Sequence, residues 1–195
     1  MTGARLDTQP VIIVSGLPRS GTSLMMQMLA AGGIEVLTDS LRTPDENNPR
    51  GYYELEAVKF TRTNPQWLAG APGKAVKIIY RLLYDLPADY SYRVIFMQRD
   101  RHEVLASQRA MLQGRSGTAT GLSDKQLGDI FAREIAAINQ WLAQQPNFSV
   151  LNIEYRQLVQ NPRERIQAIA AFLSRPMNIQ AMQAAIDPAL YRQRA

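Results

Sequence analysis

One passage near the start of the chain constrains it most. Val11-Ile12-Ile13-Val14-Ser15 runs directly into Gly16-Leu17-Pro18-Arg19-Ser20-Gly21-Thr22-Ser23, and a helical pattern follows to Ala31. A continuous run rich in β-branched residues suits a strand buried on both faces, as in a parallel sheet. A glycine-bracketed turn from such a strand into a helix aims several backbone N–H groups into one concavity. The helix N-terminus adds positive potential there. A phosphate or sulfate group fits that environment.

Strand-like runs alternate with helical patterns along the rest of the chain. Ala75–Ile79, Arg93–Met97 and Phe148–Ile153 read as strands, and Ile34–Leu37 as a short extra one. The first helix is expected over Gly21–Ala31, stopped by Gly32-Gly33. Asp100-Arg101-His102-Glu103 has capping-box spacing and opens a helix through Leu112. Ser123 or Asp124 opens a longer one, whose apolar residues from Leu127 to Leu142 recur at helical steps. Asn161-Pro162-Arg163-Glu164 starts another, with Ile166, Ile169, Phe172 and Leu173 as its buried stripe. Residues 38–53 and 114–121 are polar, rich in turn formers, and read as loops. The alternation predicts a three-layer α/β/α fold around a central parallel sheet. A single domain is expected over residues 1–195, with its core at about 10–173 and a tail over 174–195.

Composition narrows the chemistry. With 46% apolar and 20% charged residues, the 195-residue chain has the make-up of a globular domain. The absence of Cys excludes disulfides, zinc-thiolate sites, iron–sulfur clusters and a Cys nucleophile. A single His excludes a multi-histidine metal site, and no metal is expected. The net charge of +5 reads either as a solubilising basic surface or as a match to an anionic ligand or partner. The basic residues form no run, so nucleic acid is not an expected partner. No stretch reaches the roughly 18 apolar residues of a membrane span. Residues 1–10 do not read as a signal peptide, and a cytoplasmic protein is expected.

The triphosphatase loop Gly-x-x-x-x-Gly-Lys-Ser/Thr would carry Lys where Thr22 stands. Its loss argues against ordinary phosphoryl transfer from ATP or GTP, though not against binding a phosphate. Pro18-Arg19-Ser20-Gly21-Thr22-Ser23 instead resembles the 5′-phosphosulfate loop of sulfotransferases that use 3′-phosphoadenosine 5′-phosphosulfate (PAPS). Arg99, after the expected third strand, with Ser107 eight residues on, resembles that family's 3′-phosphate signature. Ile153 to Val159, Asn161-Pro162 and Ala171-Phe172-Leu173 are similar to its late strand–helix segment. Both ligand motifs fall at carboxyl ends of parallel strands, where ligands of open α/β sheets bind.

The resemblance implies a P-loop nucleoside-triphosphatase-like fold and a PAPS-dependent sulfotransferase that releases PAP, the desulfated 3′,5′-bisphosphate. The acceptor would be a hydroxyl or amine on a small molecule or glycan. Ser20, Gly21, Thr22 and Ser23 would hold the 5′-phosphosulfate, with Arg99 and Ser107 on the 3′-phosphate. Arg19 would bind the donor and stabilise its leaving charge, with Lys77 beside it. A non-ligand reading also stands for three of these residues: Arg99 as an ion pair with Glu103, Ser107 as a small packing residue, and Lys77 as a chain snorkelling from an edge strand. A degenerate P-loop kinase or triphosphatase and a non-catalytic PAP-binding module are the alternatives for the whole chain.

Several family features are replaced. Leu24 stands where many members carry an adenine-stacking Trp, and Ile79 where many carry the catalytic His. A C-terminal Arg-Lys-Gly loop is absent, with Tyr191-Arg192-Gln193-Arg194 as a candidate substitute. The lone His102 reads as a solvent-facing first-turn residue. Other branches of the family use a carboxylate base, which points to Glu54, with Glu56, Asp45 and Glu46 behind it. An apolar surround is expected to raise the Glu54 pKa. The competing reading makes Glu54 the first-turn acid of a helix through Val58 and Phe60.

Overall fold

The computed structural model describes residues 9–39, 41–43, 45, 48, 50–113 and 123–187. Its centre is a five-stranded parallel sheet in the order β2-β3-β1-β4-β5. These strands are β1 (Val11–Gly16), β2 (Val36–Leu37), β3 (Ala75–Lys77), β4 (Tyr92–Gln98) and β5 (Phe148–Glu154). β1 is buried at every residue, as its continuous apolar run predicted. It pairs Val14 with Lys77 on one side and with Ile95 on the other. The third layer expected from the alternation is present.

One face of the sheet is covered by α1 (Thr22–Ala31), α4 (Tyr155–Gln160), α5 (Pro162–Leu173) and α6 (Ile179–Ala184). Met25, Met26, Met28 and Leu29 of α1 meet Ile12, Val14, Ile95 and Ile153 of the strands there. The opposite face carries α2 (Arg101–Gln113), α3 (Asp124–Ala143) and short 3-10 turns at Glu56–Phe60, Gln66–Gly70 and Tyr80–Asp85. Alternation along β1 serves both layers: Val11 and Ile13 face one cluster, Ile12 and Val14 the other.

Several expectations shift at their edges. β3 stops at Lys77 rather than Ile79, because Ile79 caps the 3-10 turn that follows. The expected helix through Val58 and Phe60 is a 3-10 turn starting at Glu56, with Glu54 outside it. Asn161 precedes α5 but makes no side-chain cap, since it also ends α4, its N–H bonding the Gln157 carbonyl. Ser123 forms a complete capping box with Gln126. At the start of α2 the Asp100 carboxylate accepts the N–H groups of His102 and Glu103, at 2.8 and 3.2 Å.

Trp67 and Trp141 are packing residues: Trp67 donates to Thr61 Oγ1 at 2.9 Å, and Trp141 stacks edge-on with Tyr84 and Phe148. In the region expected as a tail, α6 packs on α1 and α5, with Met182 fully buried. The loop at 114–121, the alternative base Glu46, the segment 191–194 and residues 1–8 of the N-terminal segment lie outside the described residues. Among the described residues no helix is long and apolar enough to cross a membrane.

Candidate active site

The loop after β1 is built as the sequence requires. Gly16 has φ +145°, and a Cβ there would lie 2.5 Å from the Met97 carbonyl oxygen. Gly21 caps α1 at φ +98°, with the Tyr155 ring so close that a Cβ would lie 2.4 Å from Cδ2. Only glycine meets both demands at either place. Gly21 supplies no side-chain cap and the first turn of α1 holds no acidic residue. The amides at this helix start therefore face the loop without a carboxylate to neutralise them. Ser20, almost fully buried, turns its hydroxyl back to the Leu17 carbonyl at 2.7 Å and pins the turn.

Arg19 connects the two sequence motifs. Its backbone is left-handed, at φ 69°, and its Nε donates to Ser107 Oγ at 3.0 Å. Its carbonyl accepts from Arg99 Nη1 at 3.1 Å. Arg99 also pairs through Nε with Glu103 at 2.8 Å, both side chains almost fully buried. The Arg99 guanidinium lies 4.6 Å from the centre of the Tyr155 ring. Burial pushes the Arg19 guanidinium below its ordinary pKa, and the neighbouring Arg99 charge acts in the same direction. Residues 88 positions apart thus form one cationic corner at the carboxyl ends of β1 and β4.

A second cluster sits at the end of β3. Lys77 donates to the Tyr52 carbonyl and to Ser23 Oγ, the latter at 3.5 Å, and its Nζ stands 3.5 Å from Glu54 Oε1. Its side chain is about nine-tenths buried, and desolvation lowers its pKa to about 8 against the pull of Glu54. Ser23 also donates to the Tyr52 carbonyl at 3.3 Å. Glu54 is not in the apolar surround expected. It lies a third exposed between two cations, 2.9 Å from Arg42 and 3.5 Å from Lys77. The neighbouring side chains are charged because the segment before Glu54 folds back, with Thr38 Oγ1 bonding the Glu54 carbonyl.

Arg42, Tyr52 and Tyr155 help build these clusters. Arg42 stacks its guanidinium 3.3 Å above the Tyr52 ring and holds Glu54. The Tyr52 hydroxyl donates to Asp45 at 2.6 Å, so Asp45, an alternative base, is a buttress for that ring. Tyr155 packs on Gly21 and Arg99; its place directly after β5, at a strand's carboxyl end, was the signal for it. Arg42 had no such signal, being a lone Arg in a polar stretch. Glu56 pairs with Lys59 on the surface at 2.6 Å, and His102 is exposed at the start of α2.

Strand order, glycine-bracketed loop and cationic corner define an open α/β domain with Arg19 and Arg99 gathered at the carboxyl edge of its sheet. Its fold is that of sulfotransferase domains. The sulfotransferase STF1 of Mycobacterium tuberculosis H37Rv superposes with a TM-score of 0.59 at 20% identity, over 94% of this chain and 73% of that one. The sulfotransferase domain from the curacin biosynthetic pathway gives 0.59 at 16% identity, over 92% and 78%. That of the Synechococcus PCC 7002 olefin synthase gives 0.54 at 16%, over 96% and 82%. Residues 91–178, from the approach to β4 up to the N-cap of α6, match the Sulfotransferase family. Both findings agree with the resemblance read from the sequence. No curated protein matches the chain.

Proposed function

We propose that the protein transfers a sulfuryl group from PAPS to a hydroxyl or amine acceptor. The observation that carries this reading is the meeting of Arg19, Arg99 and Ser107 beside the uncapped start of α1. A donor with phosphate groups at both ends of one ribose needs two anion sites a few ångströms apart, and these residues belong to the two motifs concerned. PAPS would supply an activated sulfuryl group on a good leaving phosphate. The backbone amides of Ser20 to Ser23 hold the 5′ end, and Arg99 and Ser107 hold the 3′-phosphate. Arg19 and Lys77 offset the charge that grows as sulfur leaves. Glu54 takes the acceptor proton; its position beside Lys77 puts base and cation within reach of the same atoms. Arg42 holds the Glu54 carboxylate in place at 2.9 Å.

Calorimetric titration with PAP, with ATP and Mg²⁺ as the comparison, tests the donor. Micromolar PAP binding that Arg99→Ala removes, with ATP far weaker, is the expected result. Preference for ATP with Mg²⁺ overturns the reading in favour of a kinase-like protein. PAP binding with no transfer to any acceptor of a broad panel points to the non-catalytic module.

A further inference from the structure

The arm that carries Tyr52 and Glu54 is supported from a distant part of the chain. Arg50 Nη1 donates to the Ala185 carbonyl at 2.7 Å, and its Nη2 stands 3.2 Å from Asp187 Oδ2. Ala185 caps the carboxyl end of α6, where the last carbonyls have no partner within the helix. A guanidinium suits that place, since it can bond such a carbonyl while Asp187 balances its charge. α6 itself is firmly seated. Met182 is fully buried, and the Asn178 N–H bonds the Gly32 carbonyl, at the end of α1, at 3.2 Å. The helix that starts at the donor loop therefore also carries the support for Arg50.

What Arg50 supports is a compact block. The Gly51 N–H bonds the Asn48 carbonyl at 3.1 Å, and Asn48 Nδ2 returns to the Gly51 carbonyl at 2.6 Å. The Asn48 N–H meets both the carbonyl and the carboxylate of Asp45 at 3.0 Å. Asp45 in turn takes the Tyr52 hydroxyl at 2.6 Å. Bonds this local tie the four residues together, so displacing one displaces the rest. The block meets the body of the fold through Arg50 on one side. On another the Tyr52 carbonyl accepts from Ser23 and Lys77. A ligand that takes those two donors leaves the arm to its Arg50 support. An exposed ion pair alone would hold little. The bond to the helix end gives the support a fixed direction as well.

We propose that Arg50 is a positioning residue: through α6 it holds the arm from Gly51 to Glu54 over Ser23 and Lys77 and keeps Glu54 in register with them. The inference rests on the transfer reading, in which Lys77 and Glu54 serve the acceptor end.

Acetylation of lysines with acetic anhydride, read by mass spectrometry, tests this with neither nucleotide nor acceptor. The Lys77 side chain is 9% exposed beneath the arm, and Lys74, just before the other end of β3, is 32% exposed and serves as the internal standard. Arg50→Ala should speed Lys77 labelling several-fold and leave Lys74 as in the wild type. Arg50→Lys keeps a cation for Ala185 and Asp187, and should label Lys77 at close to the wild-type rate. Unchanged Lys77 labelling in Arg50→Ala overturns the proposal. Equal acceleration at Lys74 also overturns it, because the loosening would then be general. So does an Arg50→Lys variant that labels as fast as Arg50→Ala, because the bonds to α6 would then not be the cause. Arg50 is exposed, so the variants fold, and an unchanged melting temperature checks that. Failure of the wild type to bind PAP overturns the donor reading instead, and the labelling still judges Arg50.

Discussion

The two ends of the candidate site are built in different ways. At the donor end the side chains stand on regular elements: Arg19 in the turn between β1 and α1, Arg99 just after β4, Ser107 within α2. At the other end Glu54, Tyr52 and Arg42 lie between β2 and the 3-10 turn at Glu56, where the described residues form no helix or named strand. The first end draws its geometry from backbone rules. The second is held by side chains: Arg42 on Tyr52 and Glu54, Tyr52 on Asp45, and Arg50 reaching across to the Ala185 carbonyl at 2.7 Å. A site made this way can keep one end constant and let the other vary, since loops accept change more readily than strand-to-helix turns.

The largest expected effect separates the ends by function. Glu54→Gln should cut turnover by about 10²–10⁴-fold, the range for a general base, while PAP affinity stays the same. Full activity in that variant removes Glu54 from the chemistry and leaves the second end a purely structural arrangement.

A smaller effect tests the rigid end. Gly21→Ala sets a methyl group against the Tyr155 ring at φ +98°, and should destabilise the fold by about 2 kcal/mol or more. Urea unfolding measures it. A change within a few tenths of a kcal/mol would mean that this turn yields as easily as the loop segment does.

The smallest effect concerns Lys77, which joins the ends. Its folded-state pKa of about 8 lies below the ordinary 10.5 because burial disfavours its charge. Below pH 8 the group is charged whether the chain is folded or not, and the folded state bears the desolvation cost. Stability from this group returns as pH rises from about 8 to 10.5. Lys77→Met should therefore melt a few degrees higher than wild type near pH 7, with a margin that narrows toward pH 10.5. Activity should fall in the same variant. A lower melting temperature at pH 7 would show that the bonds to Tyr52 and Glu54 outweigh the burial cost.

The same division explains what could be read in advance. The strands, the phosphate-type turn and the start of α3 follow from residues within a few positions of one another, and all were legible. The pairing of Arg99 with Glu103 was legible too, as the non-ligand reading of Arg99. The surroundings of Glu54 were not. They depend on Arg42 folding back over 12 residues and on Lys77 arriving from another strand. Pattern alone led to the expectation of an apolar surround for Glu54. In the fold Tyr52 turns its ring to Arg42 and its carbonyl to Lys77. β3 ended early for a comparable reason: Ile78 and Ile79 look like strand residues, but the turn at Tyr80 takes the chain out of the sheet.

The Tyr52 carbonyl oxygen is served by Ser23 Oγ and Lys77 Nζ, one donor from each end of the site. An anion that uses these two donors takes them from the backbone of the segment carrying Glu54. Occupancy at one end is then thermodynamically linked to the conformation at the other, and the linkage is reciprocal. On the proposed PAPS reading, this favours an order of addition: the nucleotide enters first, and the acceptor meets a segment already released from its rest position.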